Sequence, residues 1–126
     1  MLEYEITYTD RTVVPSDIVR NKVNWKYKIK ISNRGKTRYF EYNASVHDYE
    51  EGLDLKKKDV MYCLISDMND YESFKNDLKG FCDAFGYENE RIGLKAYNGC
   101  KTNSLKMRYL FNVDELNKLQ EEFENY

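Results

Sequence analysis

The side chains best placed to do chemistry in this sequence are cationic. Between Arg20 and Arg38 there are eight basic residues and no acid. Lys22, Lys26, Lys28, Lys30, Arg34, Lys36 and Arg38, with Tyr39 interleaved, form a candidate partner-binding set. Long lysines on a rigid ribbon suit electrostatic capture of a phosphate backbone or an acidic protein surface rather than base reading. The same lysines also read as the solvated, aggregation-resistant face of an edge strand. The whole chain carries a net charge of −2, so the rest of the molecule is acidic and the charge distribution is polarised. A nucleic-acid binder more often has a basic total as well.

Other chemistry finds little support. The chain has one histidine, His47, which leaves no partner for a Cys–His pair or a His-based metal centre. His47 reads as a turn or capping residue. Asp59 and Asp67 lie eight residues apart, and Glu88 and Glu90 flank a turn, but no nucleophile or base accompanies either pair. Cys63, Cys82 and Cys100 show no Cys-x-x-Cys spacing and fall on apolar stripes, so reduced, packed thiols are expected. We therefore expect no enzyme activity, no cofactor and no metal. The acids of the last segment, Asp114, Glu115, Glu121, Glu122 and Glu124, read as a solvated helix face, with phosphate mimicry as the alternative.

These residues must be positioned by strands first and helices second. Leu2, Tyr4, Ile6 and Tyr8 alternate with polar residues over 2–9, which is strand periodicity. The segment from Asp10 to Lys22 contains the one proline, Pro15, and reads as a loop with a short strand or turn at Thr12 to Val14. Trp25, Tyr27, Ile29 and Ile31 alternate with lysines, and Phe40, Tyr42, Ala44 and Val46 repeat the pattern. A two-residue turn at Arg34-Gly35 makes opposed residue numbers sum to 69, pairing Ile29 with Phe40, Tyr27 with Tyr42 and Trp25 with Ala44. Lys28 then faces Glu41, and Lys30 lies beside Tyr39. A Lys26→Glu, Lys28→Glu, Lys30→Glu variant is expected to fold normally and to lose hairpin-mediated binding.

Beyond Glu50 the period changes to three and four. Val60, Met61, Leu64, Ile65 and Met68 predict a helix over 55–68 begun by Asp54. Asp70 is expected to cap a second helix with Phe74, Leu78, Phe81, Cys82 and Phe85 on its face and Gly86 at its C-terminus. A third helix runs from about Glu90 to Phe111, weakened by Gly93 and Gly99. Asn112 with Glu115 forms a capping box for a fourth. The expected fold is α+β, with a small antiparallel sheet of three or so N-terminal strands packed against about four C-terminal helices. It is read as a single domain over 1–126, strand-rich at 1–46 and helical at 54–126. No apolar window reaches the roughly 18 residues of a spanning helix, and the N-terminus lacks signal-peptide character. No membrane association and a cytoplasmic location in a host cell are expected.

The stretch from Lys58 to Phe111 carries Asp59, Val60, Cys63, Leu64, Ser66 and Asp67, then Phe81, Cys82, Phe85, Gly86 and Tyr87, then Glu88 and Glu90, with Tyr97 and Leu105 downstream. This pattern resembles a group of small bacteriophage and mobile-element proteins of largely unassigned function. It departs from that pattern at Glu90-Arg91, where Asp-Ser is usual, and at Leu78, where Phe is usual. The resemblance covers a little under half the chain and excludes the basic hairpin. It implies a mobile-element origin and, by analogy with accessory proteins of such elements, a non-enzymatic anti-CRISPR or other anti-defence inhibitor. Its partner would be a host protein or ribonucleoprotein defence complex. The alternative is an accessory nucleic-acid-binding module using hairpin 20–38.

Overall fold

In the computed structural model, residues 3–14, 22–47 and 57–125 are described, with side chains described for most of them. The chain divides into two compact units, residues 1–57 and 58–126. The class is α+β, an antiparallel sheet followed by four helices.

The first unit is a three-stranded antiparallel sheet in the order β1-β2-β3, formed by Glu3–Val14, Lys22–Asn33 and Lys36–His47. Each strand extends beyond its most regular alternation. β1 reaches Val14 because the register shifts between Tyr8 and Asp10, and this β-bulge allows pairing to continue as far as Val14↔Lys22. Arg34 (φ 51°) and Gly35 (φ 77°) both occupy the left-handed region, as a two-residue type I′ hairpin turn requires. That turn sets the register Ile29↔Phe40, Tyr27↔Tyr42 and Trp25↔Ala44 expected from its length. One face is apolar, and Tyr27, Ile29, Ile31 and Phe40 are buried on it. Residues 15–21, Asp54 and the His47 side chain, to which loop, capping and turn roles were assigned above, lie outside the described set.

The second unit contains α1 (Lys57–Ser73), α2 (Leu78–Phe85), α3 (Glu90–Leu110) and α4 (Val113–Glu124). Asp70 does not cap α2. The buried stripe Val60, Leu64, Met68 continues to Tyr71 and carries α1 past Asp70, so Phe74 falls in the following turn. Asp77 is the cap, its carboxylate accepting the Gly80 N–H at 2.9 Å. Gly86 ends α2 at φ 76°. Asn112 and Glu115 form the reciprocal capping box of α4 at 2.8 and 3.0 Å.

An aromatic cluster ties α1, α2 and α3 together. Phe81 stands 5.3 Å from Tyr97, 6.2 Å from Phe74 and 5.9 Å from Tyr87 between ring centroids. The Tyr97 hydroxyl donates to the Phe74 carbonyl at 3.3 Å and accepts the Asn76 N–H at 3.1 Å, fixing the turn between α1 and α2. Gly93 is buried where α3 approaches α2, and a Cβ there would overlap Cys82 Sγ. Its helix-weakening effect of about 1 kcal/mol is offset by that close packing. Of the residues that carried the resemblance, Val60, Leu64, Phe81, Cys82 and Tyr97 are buried and Gly86 stops a helix, whereas Phe85, Glu88, Glu90 and Leu105 are exposed.

Candidate functional site: the outer face of the sheet

Alternation along β2 places Lys26, Lys28 and Lys30 on the face opposite Tyr27, Ile29 and Ile31. Their neighbours come from both flanking strands. Lys30 lies between Glu5 on β1 and Tyr39 on β3, and Lys28 between Thr7 and Glu41. Lys26 is opposite Asp10 and Asn43 in the backbone ladder. Glu3, opposite Ser32, extends the acidic border. The Lys28 ammonium sits 4.8 Å from the Tyr39 ring centroid, and Tyr39 remains 48% exposed. Ser32 Oγ and Thr37 Oγ1 share a hydrogen bond of 2.8 Å at the turn end.

This arrangement departs from the separation of charge expected above. Glu3, Glu5 and Glu41 sit among Lys26, Lys28 and Lys30, so the lysine face is a mosaic rather than a uniformly cationic ribbon. The remaining candidate residues are placed elsewhere. Arg34 is in the turn; Lys36 and Arg38 lie opposite Asn33 and Ile31, on the apolar face of the ladder. Arg38 is half-buried and donates from Nη1 to the Thr37 carbonyl at 2.8 Å. Lys22 pairs in the backbone with Val14 and His47. Of the eight candidates, the structure brings Lys26, Lys28, Lys30 and Tyr39 together on one surface. Glu5, Thr7 and Glu41 belong to that surface as well. The Glu41 contribution was legible from the hairpin parity, whereas that of Glu5 and Thr7 depends on β1 pairing.

Glu5, Thr7, Lys28, Lys30 and Tyr39 line a depression of about 330 Å³. Each of the five lining side chains carries a charge or a hydroxyl group, with the lysine stems and the tyrosine ring supplying apolar surface between them. A mixed-sign surface around an exposed tyrosine suits a polar protein surface, with the tyrosine as anchor. It is poorly suited to a phosphate backbone, because each carboxylate beside a lysine opposes the cation's attraction for phosphate.

A second polar group lies within the helical unit. Asp67 accepts from Asn103 Nδ2 at 2.8 Å and from the Cys100 thiol at 3.9 Å. Asp67, Asp70 and Cys100 offer ligand atoms within 4.8 Å of one another, the one group of possible metal ligands among the described residues. Burial pushes the Asp67 carboxyl up from the ordinary carboxylate range, partly offset by the bonds from Asn103 and Cys100. Asp70 is raised by burial and by the nearby Asp67 charge. The Cys100 thiol is pushed up to about 12 by burial and then by the two carboxylates. A thiol held protonated serves here as a hydrogen-bond donor between helices and is a poor nucleophile. Cys63, Cys82 and Cys100 are not joined in disulfides.

Among the described residues no helix is long and apolar enough to cross a membrane. No family model, curated protein or solved structure matches the chain.

Proposed function

We propose that this protein is a non-enzymatic inhibitor of the bacteriophage or mobile-element type. It covers a functional surface of a host nucleic-acid-handling defence complex and presents the outer face of its sheet to a protein component of that complex. The observation carrying the choice of a protein partner is the interleaving of Lys28 and Lys30 with Glu5 and Glu41 around the exposed Tyr39 ring. Alternating charge gives registry and partner discrimination, and the ring supplies apolar contact area. The anti-defence role draws on the phage-type pattern between Asp59 and Leu105. The rival, a nucleic-acid-binding accessory module, draws on Arg34 and Lys36 at the hairpin end, both exposed, with no carboxylate directly opposite Lys36 or Arg38 in the ladder.

The register determines which variant tests this reading. Reversing Lys28 and Lys30 to Glu would create like-charge pairs with Glu41 and Glu5, which destabilise a sheet, so reversal does not leave folding untouched as first expected. Lys28→Gln combined with Tyr39→Ala removes the contact without that penalty. In bacteria carrying an active CRISPR nuclease, expression of the wild-type protein should restore plating of a targeted phage. The double variant, folded by circular dichroism, should lose most of that protection. Absence of protection by the wild type against CRISPR and other nuclease-based defences would overturn the proposal.

A further inference from the structure

The helical unit carries its own charge polarity. From Arg91 to Leu110, α3 contains five basic residues and no carboxylate, while α4 contains Asp114, Glu115, Glu121, Glu122 and Glu124 against Lys118 alone. Arg91, Lys95 and Lys101 are exposed, and Arg108 is paired with Glu72 at 2.9 Å. Where the two helices meet, Leu105, Tyr109 and Val113 follow one another at four-residue spacing and are all exposed, Leu105 by 58% and Val113 by 70%. Beside Val113 lies a depression lined by Met68, Leu116, Asn117 and Gln120.

In chain order this corner runs from cations through an apolar centre to anions. Such a pattern is self-complementary, because a two-fold axis through the centre sets each cationic end against a partner's anionic end and apolar centre against apolar centre. A phosphate backbone would satisfy the cations of α3 but would leave Leu105 and Val113 in water and face the acids of α4. We infer that the α3–α4 corner is a homodimer interface, with α3 of each copy lying against α4 of the other. This inference is independent of the sheet face and its proposed partner.

Two complementary variants test it on the full-length protein. Lys95→Glu with Lys101→Glu makes α3 acidic, and Glu121→Lys with Glu124→Lys makes α4 basic; all four side chains are exposed. Sedimentation equilibrium of the wild type should show a dimer with a dissociation constant on the order of 10 µM at low salt. The dimer should weaken at least about tenfold when salt is raised past 0.5 M, because exposed charges are screened. Each double variant, with an unchanged circular dichroism spectrum, should be monomeric, and an equimolar mixture of the two should recover the dimer. A wild type that is monomeric at low salt, including one that binds poly-glutamate as a monomer, would overturn the inference. So would variants that remain dimeric alone or a mixture that stays monomeric.

Discussion

Lys28 and Tyr39 are diagonal neighbours in the sheet: Lys28 is directly opposite Glu41, and its ammonium reaches across to lie 4.8 Å from the Tyr39 ring centroid. Lys28 thus stands opposite Glu41 in the backbone ladder with its ammonium over an aromatic face, while about half of the tyrosine's surface stays in water. A double-mutant cycle with Lys28→Gln and Tyr39→Ala should give a coupling of about 0.5–1 kcal/mol in urea denaturation, the range for exposed cation–π pairs. Coupling near zero would mean that Tyr39 is not preorganised by Lys28.

The hairpin turn should respond in opposite directions to two substitutions. Arg34 and Gly35 both have positive φ, which costs a side-chain-bearing residue about 1–2 kcal/mol. Gly35→Ala should lower stability by about that amount. Arg34→Asn should raise it by roughly 0.5 kcal/mol, because Asn tolerates the conformation better than Arg. Thermal melts of the two variants check both signs.

Ser104 Oγ is buried with no hydrogen-bond partner among the described residues. Ser104→Ala should therefore stabilise the protein by about 0.5–1 kcal/mol by removing a polar group that folding dehydrates without compensation. Measured destabilisation would show that the hydroxyl is satisfied in solution.

Asp67 predicts a pH dependence. Its carboxyl, like that of Asp70, has a folded pKa above the unfolded value, so above the folded pKa the ionised form carries the burial cost in full. As pH falls through the folded pKa toward about 4, protonation relieves that cost and the contribution turns favourable. Relative to Asp67→Asn, the wild type should therefore gain stability between pH 7 and about pH 4. Urea midpoints at the two pH values test this, and identical pH dependence in both proteins would contradict it. By the same physics the Cys100 thiol, pushed up to about 12, should react with iodoacetamide at pH 8 far more slowly than a free cysteine.

Features set by adjacent residues were legible in the sequence. The Arg34-Gly35 loop length alone fixes Ile29 opposite Phe40, and Gly86 and the Asn112–Glu115 box mark helix ends by local chemistry. Asp70 misled because Asp70 and Asp77 are both good N-caps in sequence. Only the burial of Tyr71 shows that α1 continues past the first. Long-range placements were not legible. The pairing of Glu5 with Lys30 depends on how β1 aligns with β2 across a bulge, and Asp67 meets Cys100 across 33 residues. The basic hairpin therefore read as a separate cationic ribbon, although its strand-to-strand neighbours include carboxylates.

The outer face of the sheet is proposed above as a mixed-charge protein-binding surface rather than a phosphate-binding one. Fluorescence anisotropy of labelled duplex and single-stranded DNA against the full-length protein, read from low to physiological salt, tests it most directly. The mosaic of Glu5, Lys28, Lys30 and Glu41 predicts no binding tighter than about 10⁻⁴ M at physiological salt, the weak end of non-specific association. Micromolar binding that falls steeply with salt and is lost in Lys28→Gln with Lys30→Gln would contradict it.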